Sequence, residues 1–289
     1  MSFKPILVSL CEHSSYHNES NSDYFSQYFD LYQFDPDVNY KSDVVFVYRS
    51  DEDLSKVSEC NNKFISECFW EKYNPCSLDR PNTLYLNNLH FPEYFWFEEL
   101  NNPNNNQNNL PLEKGSKLFF MPMKKSFFHR DDLFDRVDKS NAIFSFVARG
   151  ILLENNFVTD RYYEDYWYAD TQFSIVSETL PFEVFLTEKT FKPIMYGHPF
   201  LVWTGPGHLK EVRKLGFETF DCVFDESYDN ELDYHLRLQK LLKNVHEIEY
   251  TSELIKRLQH NINHFWNNPI IFELAFEKTV KPVLEFING

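Results

Sequence analysis

Apolar and polar positions follow two different rhythms along the chain. Up to about residue 100, short apolar runs stand between polar stretches: Ile6 to Leu10, Val44 to Tyr48, Phe64 to Ile65 and Leu84 to Leu86. Runs of that length predict short, mostly buried strands of an α/β layer. Helices between them are weakly patterned; Asp23 to Tyr32 is one candidate, and the aromatic, acidic Phe91 to Leu100 another. From residue 116 the pattern sharpens. Leu118 to Met121 and Ala142 to Val147 predict strands, with a short helix between them, Arg130 to Asp138, carrying Leu133, Phe134 and Val137 on one face. A strand ending at Glu178, a helix opening at Thr187 and a strand from Phe200 to Trp203 follow. Leu209, Val212 and Leu215 then have helical spacing, closed by Gly216, and Phe217 to Phe224 predicts another strand. Helices finish the chain, one lined by Leu254, Ile255, Leu258, Ile262 and Phe265, the last by Phe272, Phe276, Val280, Val283 and Ile287.

The segment Asn101 to Asn109, NNPNNNQNN, cannot build a core and reads as a linker. It divides the 289 residues into 1–115, an α/β domain ending in the linker, and 116–289, a second α/β domain. Hydrophobic residues make up 43% of the chain, enough for a sizeable core. The formal charge of −16 repels nucleic acid and anionic lipid unless a local basic patch overrides it. Five cysteines (Cys11, Cys60, Cys68, Cys76, Cys222) lack CxxC spacing and read as thiols in a reducing compartment. The apolar run near the N-terminus is too short for a signal peptide, and no run reaches the roughly 18 residues of a membrane span. The expectation is a cytoplasmic protein with no membrane partner.

Chemistry concentrates in residues 173–209. A strand ends at Glu178, and after a loop Thr187, Glu188 and Lys189 open a helix. Polar groups at the carboxyl end of a strand in a strand–loop–helix–strand unit are how α/β domains build nucleotide sites. Thr187 is a good N-cap and Glu188 suits the first turn, whereas Lys189 faces the positive end of the helix dipole. An anion such as phosphate, held between Lys189 and the helix N–H groups, relieves that conflict. Five of the seven glycines also lie between Gly150 and Gly216. Gly197 and Gly216 read as helix C-caps, while Gly205 and Gly207, on the turn after a strand, are candidates for close approach to a ligand.

Val176-Ser177-Glu178, Phe185-Leu186-Thr187-Glu188-Lys189, Pro199-Phe200-Leu201-Val202 and Gly205-Pro206-Gly207 together resemble the donor-binding region of α1,3-fucosyltransferase-type glycosyltransferases. Gly216 to Asp229 resembles virus-encoded relatives of such enzymes, which would place the protein in a host cytoplasm. Upstream, Leu118-Phe119-Phe120 to His129-Arg130 fits the family's strand, turn and diphosphate-binding Arg. The resemblance covers residues 116–230. It implies a GT-B fold, two Rossmann-like α/β domains facing across a cleft, with the last helix crossing back to the first domain. It also implies an inverting, metal-independent transfer of a sugar from a nucleoside diphosphate, GDP among the candidates, to a hydroxyl, with no cofactor beyond that donor. Arg130, Lys189, Arg149 and the helix start at Thr187 would stabilise the leaving diphosphate. Glu178 or Glu188 would accept hydrogen bonds from the ribose hydroxyls. No strand-end DxD triplet argues for a metal, since Asp131-Asp132 begins a helix.

In the family a Glu following a strand of the first domain takes the acceptor's proton. The positional counterparts are Glu67 and Glu71, the latter favoured slightly by Trp70, with Glu12-His13 as competitors. The acceptor is a glycan or other hydroxyl compound; hydroxylated bases in DNA are the alternative, disfavoured by charge. A non-catalytic α/β module binding a nucleotide or protein is the rival class. An epimerase is discounted because no glycine-rich turn follows the first strand.

Overall fold

The computed structural model describes residues 6–9, 25–33, 45–48, 63–66, 83–85, 96, 99–100, 112–153, 165–184 and 186–288. The chain divides into two compact units, Met1–Asn105 together with Pro269–Gly289, and Asn106–Asn268.

The first unit carries a five-stranded parallel sheet of β1 (Ile6–Ser9), β2 (Asp30–Gln33), β3 (Val45–Tyr48), β4 (Lys63–Ser66) and β5 (Thr83–Tyr85), in the order β2-β1-β3-β4-β5. The expected helix over Asp23 to Tyr32 is instead one turn at Phe25 running into β2. Phe25 and Phe29 are buried, while Tyr32 on the edge strand is more than half exposed. Pairing to the sheet edge outweighs weak helical spacing there. Phe276, from the end of the chain, packs its ring 5.4 Å from that of Tyr28. It opens a π-helical stretch, Phe276–Val280, between Ile270–Ala275 and Lys281–Asn288. Pro282, two residues past that stretch, has no N–H to give the four-residue ladder.

The second unit is built on a four-stranded parallel sheet: β6 (Lys117–Met123), β7 (Ala142–Phe146), β8 (Thr171–Ser177) and β9 (Phe200–Trp203), ordered β7-β6-β8-β9. Every residue of β8 is buried, although four of its seven are polar. Partners make that tolerable for three of the four, while the Ser177 hydroxyl has no hydrogen-bond partner. Ser174 Oγ lies 2.8 Å from His198 Nδ1, Thr171 Oγ1 donates to the Trp167 carbonyl, and Gln172 Oε1 accepts from the Ile248 N–H. The sheet is flanked by α1 (Phe128–Arg136), α2 (Asp165–Ala169), α3 (Glu188–Met195), α4 (His208–Lys214), α5 (Tyr234–Lys243) and α6 (Ser252–Asn267). In α6, Thr251 caps the first turn, and Leu254, Leu258, Ile262 and Phe265 are buried at helical spacing.

Phe217 to Phe224 is not a strand. Its backbone is satisfied by side chains: Asn261 brackets Glu218 at both N–H and C=O, and the Glu226 carboxylate takes the Phe220 N–H and the Thr219 hydroxyl. Phe217, Phe220 and Phe224 still reach the core, from a turn rather than from a ladder. Among the described residues no helix is long and apolar enough to cross a membrane.

Candidate functional site

In the second sheet β7 lies on one side of β6 and β8 on the other, so the carboxyl ends of β6 and β8 flank the point where strand order reverses. Open α/β sheets bind ligands in that crevice. Here it holds a pocket of about 560 Å³, measured out to its open mouth. Phe120, Met123, Tyr168, Ile175, Val176 and Pro193 supply apolar lining. The charged lining is Lys124, Arg130, Lys189 and Glu188.

Beyond β6 the chain passes Lys124, Lys125 and Ser126 and enters α1. Arg130, in the first turn, is 3% exposed. Its Nη2 donates to the Ser177 carbonyl at 3.0 Å and to Thr179 Oγ1 at 3.4 Å, and Nη1 to the Lys125 carbonyl at 3.3 Å. One guanidinium thus ties the ends of β6 and β8 together and leaves a positive charge in the crevice. The neighbouring His129 has Nε2 at 2.8 Å from the Glu178 carbonyl, which requires the proton on that nitrogen. Burial pushes its pKa down to about 4, so it is neutral at pH 7.

Glu178, fully buried, directly follows β8. Its Oε1 accepts from the Thr187 N–H at 3.0 Å and from Thr190 Oγ1 at 2.8 Å; Oε2 accepts from Thr187 Oγ1 at 2.7 Å. Both oxygens are committed to the start of α3, and no ribose hydroxyl needs to be invoked for them. Burial pushes the carboxyl up, outweighing the attraction of the Lys189 ammonium 3.9 Å away. Behind it Thr190 Oγ1 lies 3.1 Å from Nε2 of the buried His208, which desolvation holds at about 3.

Thr187 is the N-cap of α3, accepting from the Lys189 N–H. The conflict expected between Lys189 and the helix dipole is met inside the protein. Its Nζ bonds Glu188 Oε1 at 2.6 Å and Thr187 Oγ1 at 3.1 Å. For Glu188, desolvation pushes upward, but the Lys189 ammonium, its hydrogen bond and Lys192 outweigh it, so the carboxyl sits below its ordinary value. The Lys189 side chain remains 31% exposed and still lines the pocket. Pro193, one turn on, has no N–H for the Lys189 carbonyl and so leaves an acceptor near the pocket without its usual helical donor.

Arg149 stands apart. It bonds Asp131 and Asp135 on the outer face of α1, each at 2.5 Å, and does not line the pocket. Asp132, the remaining acid of that helix, pairs with Arg136. Gly205 is also explained without a ligand, because a Cβ there would meet the Glu183 backbone at 2.3 Å. Glu67, Glu71, Glu12 and His13 lie outside the described residues, as does the Asn-rich linker. Lys124 was not singled out in the sequence, although a lysine pair directly after a strand and before a helix was a readable signal.

No protein-family model matches the sequence, and no curated protein matches it. Solved structures do. One crystal structure of an α1,3-fucosyltransferase aligns over 99% of this chain and 91% of its own at 10% identity, with a TM-score of 0.50. A second, of an α1,3-fucosyltransferase with GDP-fucose, covers 100% and 92% at 12% identity, with a TM-score of 0.49. At such identities the likeness is one of fold. The fold is α/β of the GT-B glycosyltransferase class.

Proposed function

We propose that the chain is a glycosyltransferase that holds the diphosphate of a nucleotide-sugar donor in the β6–β8 crevice and passes the sugar to a hydroxyl. The observation carrying this reading is one of charge. Three cations and one carboxylate line a single pocket in a chain whose net charge is −16. A locally positive cleft on an acidic protein concentrates a multiply charged anion. Lys124, Arg130 and Lys189, with the positive end of the α3 dipole, supply the fixed positive field that a departing diphosphate needs.

The same field supports a metal-independent reaction. Asp131 and Asp132, the adjacent acids of α1, are already engaged by Arg149 and Ser126 and by Arg136 and Tyr234. An inverting transfer then needs a carboxylate base, for which Glu67 and Glu71 remain the proposed residues. The acidic surface favours a glycan or other small hydroxyl acceptor over a base in DNA.

Titration calorimetry with GDP and UDP tests the site. Lys189→Ala should weaken the bound nucleotide by about 1.5–3 kcal/mol, the worth of a hydrogen bond to a charged group. Unchanged affinity removes the site from α3. Slow release of free sugar from the bound donor separates an enzyme from a binding module.

A further inference from the structure

We propose that Phe128, Phe182 and Tyr234 form a stacking ledge for a neutral pyranose, the chemical class of the acceptor. The ledge's role in transfer rests on the glycosyltransferase reading; the binding itself does not. Phe128 is 59% and Phe182 63% exposed. Their rings stack at 5.9 Å with an interplanar angle of 27°, and Tyr234 lies 5.8 Å from the first and 6.1 Å from the second. Beneath them the buried Trp203 meets Tyr234 edge-on at 5.2 Å.

These exposed rings do not hang on a loose loop. The Pro181 carbonyl accepts from Arg237 Nη2 at 2.6 Å and the Leu180 carbonyl from Thr204 Oγ1 at 2.8 Å, fixing the segment that carries Phe182. Phe128 opens α1, and Tyr234 opens α5 behind its Asp233 cap. Three segments are therefore pinned so as to keep aromatic faces in water, an arrangement that marks a binding surface. Its place agrees: Phe128 opens α1, the helix that follows β6 and whose Arg130 lines the pocket, although the three rings themselves lie outside that lining.

The surrounding chemistry selects the occupant. Tyr234 Oη donates to Asp132 Oδ2 at 3.1 Å and Arg136 holds Oδ1 at 2.6 Å, so the apolar face is edged by an oriented carboxylate with lone pairs left to accept from a hydroxyl. A pyranose offers C–H groups to the rings and hydroxyl donors to that edge. A second copy of this acidic chain brings the same net charge against itself.

The full chain is screened against an array of neutral oligosaccharides, and hits are measured in solution by saturation-transfer NMR with and without GDP or UDP. Phe128→Ala and Phe182→Ala should each bind the hit about tenfold more weakly, and their nucleotide affinity should not change. The ledge is refuted if the wild type binds no neutral glycan, or if both variants bind as the wild type does. It is equally refuted if sedimentation shows a dimer that Phe182→Ala dissolves, since a second copy would then cover the rings. Ring-dependent glycan binding in a protein that ignores both nucleotides keeps the ledge and sinks the donor site; the reverse result does the opposite.

Discussion

Glu178 offers the sharpest test of how the site is held. In Glu178→Ala three donors lose their acceptor: the Thr187 N–H, Thr187 Oγ1 and Thr190 Oγ1. The hydroxyls can turn, Thr190 toward His208 at 3.1 Å, but the backbone N–H cannot. A stranded buried donor costs about 1–3 kcal/mol, and losing the one buried methylene about 0.8 kcal/mol more. With some residual cavity the expected loss is about 3–5 kcal/mol. Glu178→Gln keeps an acceptor for the Thr187 N–H and removes a buried charge whose desolvation outweighs its attraction to Lys189. It should cost no more than about 1.5 kcal/mol. Because burial raises the native carboxyl, wild-type stability declines as pH climbs above the ordinary glutamate value, so the gap to Gln narrows in that direction. Urea midpoints at several pH values measure both. A Gln variant as damaged as Ala, or an Ala variant losing under about 1 kcal/mol, refutes the reasoning. Nucleotide affinity of Glu178→Gln should stay within about threefold of wild type, since both oxygens face inward; a tenfold loss, about 1.4 kcal/mol, would put the carboxylate on the ligand after all.

Arg149→Ala should leave nucleotide affinity unchanged in calorimetry, because its guanidinium is spent on Asp131 and Asp135; a large loss would relocate the anion site. His208, held near 3 by burial, takes up a proton on unfolding below its ordinary value, so it stabilises at neutral pH and that stability is lost as pH falls. His208→Gln should therefore flatten the dependence of unfolding free energy on pH by about 1.4 kcal/mol per pH unit between roughly pH 6 and 4.5, and an unaltered slope counts against a neutral buried imidazole. Glu67→Gln should lower kcat by about 10²–10⁴ while donor affinity holds, and normal turnover passes the role to Glu71, Glu12 or His13.

The second unit was the more legible because apolar residues dominate β6, β7 and β9 and Thr187 gives α3 a readable cap. Thr187 before Glu188 marked the start of α3 directly, and the spacing of Leu254, Leu258, Ile262 and Phe265 marked α6. The misreadings share one physical cause. Phe217 to Phe224 has the composition of a strand, but distant side chains, Asn261 and Glu226, take its backbone groups, and no local pattern announces such partners. Lys189 was read as an unmatched cation because the side-chain path of Glu188 and the return of Glu178 beside it are tertiary facts. Arg130 and Arg149 looked alike in sequence. Only the fold buries the first across two strand ends and leaves the second on the outer face of a helix.

Both sheets follow one plan. Numbered within its own unit, the second runs 2-1-3-4 and the first 2-1-3-4-5, so in each the first and third strands flank a reversal of order. The second unit fills that crevice with cations. In the first unit the equivalent crevice lies between β1 and β3, and the chain leaving β1 at Ser9 reaches Glu12 and His13 within four residues. Glu67 follows β4 immediately, one strand away from that reversal, and Glu71 follows four residues later. A base must be held within hydrogen-bond reach of the acceptor hydroxyl, which favours a residue next to its strand in the sequence over one farther along the chain. By that criterion Glu67 stands ahead of Glu71, and Glu12-His13 is the pair that follows the strand nearer the reversal but at a greater distance along the chain.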